Sequence, residues 1–394
     1  MRILFCNFEY PPLGGGGGVV NAALAEDLAQ RHSVTVLTSH GFDLPRDTEE
    51  NGVRVVRVPV ALRRRLASAS FTSMFSYMVN GRRYGERLVR DSAFDVINTH
   101  FVLPTGPVGD ALAHQAGIPN VLTVHGGDLY DPSKFTSPHR HWLLRQWVQR
   151  LVSRADAVVG QSKNTLDNLR AYFAPDVPAE LIPLGIKRPP HVDASRAELG
   201  FEDDQVILVT VGRLVARKAV DRLIDCLTRL NDSRAVLVVI GSGPKLGEWR
   251  AYAQARGVAD RVRFPGFVDE QLKYEILSVS DLYVSTSLHE GFGLVFLEAM
   301  ACGLPVVCYD HGGQTDFLQS GITGYLEPAG NLMAFTESCR RLVDNPELRS
   351  QMAQANRGRV TEFFIPACAG RYERVFRETI SRFGERSSEL VKNI

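Results

Sequence analysis

The chain has 394 residues, more than one hydrophobic core usually supports, so two domains of roughly 150 to 200 residues each are expected. Apolar residues make up 44% and charged residues 23%, the proportions of a soluble globular protein rather than a disordered or fibrous one. A formal net charge of +1 excludes the basic excess of a dedicated nucleic-acid binder, and no apolar run approaches the ~20 residues of a membrane-spanning helix.

The start, MRILFCNFEY, reads as a strand with an acidic residue and a double proline close behind, unlike a signal or transit peptide, and implies a cytoplasmic protein. The linker PPLGGGGGVV, residues 11–20, then joins this strand to the helical pattern VVNAALAEDLAQR. Its five glycines clear side chains from a place where backbone must approach a ligand or flex. It is not a dinucleotide fingerprint, because His40, not an acidic residue, follows the second strand SVTVLTS. VRVVRVPV, FDVINTH, NVLTVHG and ADAVVGQS continue the alternation of β-branched runs with helical segments that marks βαβ units on a parallel sheet.

Between VRVVRVPV and FDVINTH lies a basic, partly aromatic stretch, residues 62–90, whose arginines suit anionic head groups or a phosphorylated acceptor as well as a solvated helix face. NVLTVHGGDLY places His125 at a strand end with Asp128 three residues on, beside glycines that admit a ligand.

The segment from Ala179 to Gly200 is proline-rich and aperiodic, which marks a linker with the boundary between Gly185 and His191. A second set of strands follows: QVILVTVG, AVLVVIG, RVRFPGF, DLYVSTS and LPVVCYD. From about Ile365 the tail is helical again, with a break suggested by Pro366. The six cysteines are scattered through apolar segments with neither C-x-x-C nor zinc-type spacing, and read as reduced, buried thiols; no metal site is implied.

The most informative stretch is STSLHEGFGLVFLEAMACGLPVV, residues 285–307: a strand end, a glycine turn and a helix opening at about Leu294. Glu290 precedes that helix and Glu298 lies on its second turn. Gly291 and Gly293 allow close backbone approach, and the N–H groups of Gly293, Leu294 and Val295 suit a diphosphate at the positive helix end. In VTVGRLVARKAVDRLI, residues 209–224, Arg213 and Lys218 supply two cations where a strand gives way to a helix, placed to neutralise a leaving pyrophosphate.

EGFGLVFLEAMACGLPVV resembles the E-x7-E signature of glycosyltransferase family 4, and VGRLVARKA resembles that family's donor-phosphate motif, with Ala219 where glycine is usual. The resemblance covers nearly the whole chain and implies a GT-B fold: two Rossmann-like doubly wound domains facing across a cleft. The expected division is an acceptor-side domain 1–187, a donor domain 188–365, and a helix 366–394 packing back on the first. It further implies that Glu290 holds the transferred hexose, Glu298 the ribose, and His125 approaches the donor sugar from the N-terminal half. Gly16, Gly17 and Gly18 would lie beside the donor phosphate, with Gly241, Phe292 and the neighbouring turn in the same pocket. Backbone near Arg263 and Phe264 would meet the base, and Asp128 would serve the acceptor side or orient His125. Leu184 and Lys187 replace the asparagine and acidic residue often found at the hinge of that family.

The implied activity is transfer of a hexosyl unit, of glucose, mannose or N-acetylglucosamine type, from a UDP- or GDP-sugar to a hydroxyl, with retention of configuration. The acceptor would be a glycan, a glycolipid or a small molecule, in cell-envelope or exopolysaccharide synthesis. No cofactor or metal is required, no nucleic acid is a partner, and contact with an anionic membrane surface is the one peripheral association expected. The alternatives are an epimerase or phosphorylase of the same architecture and a nucleotide-binding module without turnover.

Overall fold

A computed structural model describes residues 1–63, 70–131 and 135–392. The chain divides into two compact units, Met1–Lys187 with Phe364–Ile394, and Arg188–Phe363.

The first unit is built on β1 (Arg2–Asn7), α1 (Gly16–Ala29), β2 (Ser33–Ser39), β3 (Asp47–Glu50), β4 (Val53–Val58), α2 (Phe71–Asp91), β5 (Val96–His100), α3 (Gly106–Ala116), β6 (Asn120–Val124), α4 (Trp142–Arg154), β7 (Ala157–Gly160), α5 (Lys163–Tyr172) and β8 (Ala179–Leu181). The strands order as β3-β4-β2-β1-β5-β6-β7-β8. All pair in parallel except β3, which meets β4 antiparallel across the Asn51-Gly52 turn. Because helices cover both faces, the central strands β1, β5 and β6 are almost wholly apolar or buried.

The second unit runs β9 (Val206–Val211), α6 (Val220–Leu230), β10 (Ala235–Ile240), α7 (Leu246–Ala255), β11 (Val262–Gly266), α8 (Glu270–Val279), β12 (Leu282–Ser285), α9 (Leu294–Ala301), β13 (Val306–Tyr309), β14 (Gly324–Glu327), α10 (Leu332–Asp344) and α11 (Pro346–Arg359). Its parallel strands order as β11-β10-β9-β12-β13-β14, the Rossmann arrangement. Pro265 sits in the edge strand β11, where a missing N–H breaks no ladder.

The last helix, α12 (Ile365–Lys392), belongs to the first unit: Cys368, Tyr372, Val375 and Phe376 share one core with Leu24, Leu28 and Ile3. Pro366 does not break this helix. It is the second helical residue, where a proline N–H would have no acceptor within the helix.

Two further readings of the sequence are corrected. The proline-rich linker contains β8, three residues pairing with β7 at the sheet edge; so short a strand carries no periodicity. Gly16, Gly17 and Gly18 are not loop residues but the first turn of α1, the loop proper ending at Gly15. A Cβ on Gly17 would lie 2.7 Å from Phe101 Cζ, so that ring would have to shift, and one on Gly18 3.3 Å from the Glu9 backbone, a tight contact. Five cysteines are buried and Cys302 is half-buried, all as free thiols.

Candidate active site

In a doubly wound sheet, ligands gather outside the carboxyl ends of the strands where the order reverses. In the second unit that point lies between β9 and β12. The segment after β9 carries Arg213, Arg217 and Lys218; the segment after β12 carries Glu290 and leads into α9. The two are laced together: Leu288 N–H donates to the Arg217 carbonyl at 2.8 Å, Thr286 Oγ1 to the Ala219 carbonyl at 2.8 Å, and Arg217 Nη1 to the His289 carbonyl at 2.7 Å.

This lacing delivers Lys218 Nζ onto Glu290 Oε1 as a hydrogen-bonded ion pair, with Arg217 3.8 Å from the other carboxylate oxygen. Glu290 is buried. Burial works against its charge, but the fields of Lys218 and Arg217, with hydrogen bonds from Lys218 and Ser287, prevail and hold the carboxyl below its ordinary range. Arg213 stands exposed just beyond β9.

The glycines make these contacts possible. A Cβ on Gly241 would fall 2.0 Å from the Gly212 carbonyl, and one on Gly313 2.3 Å from the Gly291 carbonyl. Gly241 is therefore needed first by strand-end packing. Ala219, which replaces the customary glycine, keeps the left-handed backbone that glycine favours, at φ 47° and ψ 44°.

Helix α9 starts at Leu294, with Gly293 as N-cap at φ 93° and no side chain capping it. The amides of Leu294 and Val295 thus lie in its positive first turn. Phe292 belongs to the core, its ring 5.3 Å from that of Phe317, so only its backbone is available to a ligand. Glu298, on the same helix, pairs with Lys273 at 3.0 Å. Burial dominates there and leaves its carboxyl above the ordinary range despite the lysine. Sequence reading had not singled out Lys273; its only signal is a lone lysine in KYEIL.

At the expected base edge the side chains have other tasks. Arg263 donates to the carbonyls of Leu199, at 3.2 Å, and Gly200, at 2.6 Å, and lies 4.0 Å over the Phe201 ring. The Phe264 carbonyl accepts from Arg250 at 3.2 Å.

In the first unit the order reverses between β1 and β5. His125, one residue past β6, stacks on Phe101 at 4.1 Å and shares a 3.0 Å hydrogen bond, Nε2 to Nδ1, with His100 at the end of β5. Burial drives His125 down to about 4 and His100 well below its ordinary value. Both rings are neutral at physiological pH. Asp128 ties the two loops together, accepting from the backbone N–H of His125 at 2.9 Å and of Val102 at 2.7 Å. Glu9, which the sequence reading also passed over, accepts from the Gly15 N–H at 3.0 Å, just before α1.

Paired cations and a helix start at one sheet's switch point, and neutral histidines at the carboxyl ends of β5 and β6 in the other, define the class: an α/β glycosyltransferase of GT-B architecture. Residues 191–359 match the family described as glycosyl transferases group 1, and residues 15–185 match the glycosyl transferase 4-like domain. An uncharacterized glycosyltransferase of Methanocaldococcus jannaschii is 30% identical over 344 residues, covering 82% of this chain and 84% of that one. Among solved structures, sucrose-phosphate synthase from Thermosynechococcus elongatus superposes with TM-score 0.84 at 24% identity, over 97% of this chain and 100% of that one. HepE from Anabaena, in complex with UDP, gives TM-score 0.75 at 18% identity, over 96% and 100%. The chain belongs to the group 1 glycosyltransferases, of the family 4 type.

Proposed function

We propose that the enzyme moves a hexosyl unit from a nucleoside diphosphate sugar to a hydroxyl acceptor with retention of configuration. The observation that carries this reading is the buried Lys218–Glu290 pair beside the uncapped start of α9. A lysine held on a carboxylate is a cation kept in place without water. A donor diphosphate arriving at the α9 amides draws Lys218 toward its oxygens, and Glu290 is then released to accept from hydroxyls of the transferred sugar. Arg213 adds a solvent-facing cation for the leaving group.

Glu298 suits the ribose diol, and the neutral His125 suits a sugar hydroxyl, since an imidazole can both donate and accept. The departing diphosphate itself takes the acceptor proton in a same-face displacement, so no enzyme carboxylate need attack. We include metal independence, a UDP or GDP donor and a cytoplasmic site in the proposal. HepE, with UDP bound, supports a uridine donor by likeness of fold. Peripheral contact with an anionic membrane rests on the basic face of α2, where Arg83, Arg87 and Arg90 are exposed. Arg64 and Arg65, part of the same expectation, lie outside the described residues.

Thermal-shift titration with UDP, GDP and ADP tests the donor site, because a nucleotide that binds the folded state stabilises it by mass action. One of the three is expected to raise Tm well above the others. NMR of the product formed from the matching sugar and an acceptor should show the donor's anomeric configuration. Donor altered without any acceptor would instead indicate an epimerase, and nucleotide binding without turnover a silent module.

A further inference from the structure

Helix α2 carries two apolar stripes. One, through Tyr77, Gly81, Gly85 and Leu88, is buried against the sheet and α3. The other, Phe71, Met74, Phe75 and Met78, falls at i, i+3, i+4 and i+7 yet leaves Phe71 71% and Phe75 65% exposed. Helix α4 repeats the pattern: Val148, Leu151 and Val152 are buried, whereas Leu144 and Trp147 are not fully covered. Folding of the unit accounts for the first stripe of each helix and for Met74, which packs against the same core, but leaves Phe71, Phe75 and Trp147 exposed.

The two second stripes meet across a cavity of about 690 Å³, the size that takes a small-molecule ligand. Its walls are chiefly apolar, and its polar lining includes Glu9 and Asp128, the carboxylates that hold Gly15 and His125. Phe101, stacked on His125, is also part of the lining. The cavity therefore reaches, within its own unit, two residues that contact the candidate sugar-facing histidine.

We infer that the acceptor is an amphiphile, its apolar aglycone inserted between α2 and α4 and its hydroxyl presented at the Glu9, Asp128 and His125 end. The inference rests on the glycosyltransferase reading and adds the acceptor's chemical class. A concavity walled by two helices favours an inserted chain or ring system over a flat bilayer face, and aromatic and methionine side chains adapt to apolar shapes rather than to hydroxyl arrays.

The probes are methyl, hexyl, octyl and decyl glucosides below their micelle concentrations, titrated calorimetrically into the full chain. Affinity is expected to rise about fourfold per methylene until the cavity fills. In Phe75→Glu, an exposed position that folds as before, the octyl and decyl compounds should lose at least tenfold in affinity while the nucleotide-induced thermal shift stays as in the parent. Affinity independent of chain length would overturn the inference. So would phosphatidylcholine vesicle binding by the parent that Phe75→Glu loses, with no response of either to the monomeric glucosides, which would make the stripe a membrane face. Alkyl glucoside binding without any nucleotide shift would retain the pocket and reject the donor reading; the reverse result would reject the pocket alone.

Discussion

The Nδ1 of His100 and the Nε2 of His125 lie 3.0 Å apart at the ends of two adjacent parallel strands, and both rings are held neutral by burial. Only one of the two facing nitrogens can bear a hydrogen, so the tautomer of one ring dictates that of the other. In the proposed reaction His100 would act only through His125, as a positioning residue.

The pair makes stability depend on pH in a defined direction. His125 titrates near 6.5 when unfolded and at about 4 when folded, so between those values the unfolded chain binds the extra proton. Its contribution is complete above pH 6.5 and fades as pH falls toward 4, by roughly 3 kcal/mol over the window. Denaturant midpoints at pH 7, 5.5 and 4.5 should fall in that order, and less steeply in His125→Phe. An identical slope in that variant would assign the acid sensitivity elsewhere.

Removing one partner of the Lys218–Glu290 pair leaves a buried charge alone, which costs about 3–5 kcal/mol. Lys218→Ala and Glu290→Ala should each be destabilised and should each lose at least ~100-fold in turnover. The double change Lys218→Met with Glu290→Gln should recover most of the stability and none of the activity. Recovery of both would mean the pair is scaffolding only.

Glu298 is a half-buried carboxylate balanced by Lys273. If it receives the ribose diol, Glu298→Gln should weaken the nucleoside diphosphate by about tenfold or more, the size of a lost charge-assisted hydrogen bond. The penalty should vanish with a 2′,3′-dideoxy nucleotide. A penalty that persists there would place the ribose on other residues.

At φ 47° an alanine is held where only glycine rests without steric cost, so Ala219→Gly should stabilise the second unit slightly, by ~0.5 kcal/mol after the entropy of the unfolded chain is counted. Ala219→Val should cost about 2 kcal/mol, since a β-branched residue crowds the following carbonyl. Calorimetric Tm values separate the two directions.

Much of this architecture was legible because parallel strands buried on both faces become continuous β-branched runs, as in VILVTV and AVLVVI. The glycine turn before α9 was equally readable, since Gly293 caps the helix at a φ that excludes other residues. What escaped were features fixed by long-range register. Nothing local to NTHF says that His100 will face His125, 25 residues on; sheet pairing alone brings them together. Lys273 reaches Glu298 from a neighbouring helix in the same way. The β3–β4 hairpin was marked by Asn51-Gly52, a turn signal whose short, acidic strand hid it among loop residues.

Residues 188–363 are contiguous, while the unit begun at Met1 closes its core only when Cys368, Tyr372 and Phe376 arrive. During synthesis the later unit can therefore reach its native state first, and the earlier one waits with the α1 face uncovered. Clipping the chain after Phe363 would damage the half that lies farthest from the cut in sequence.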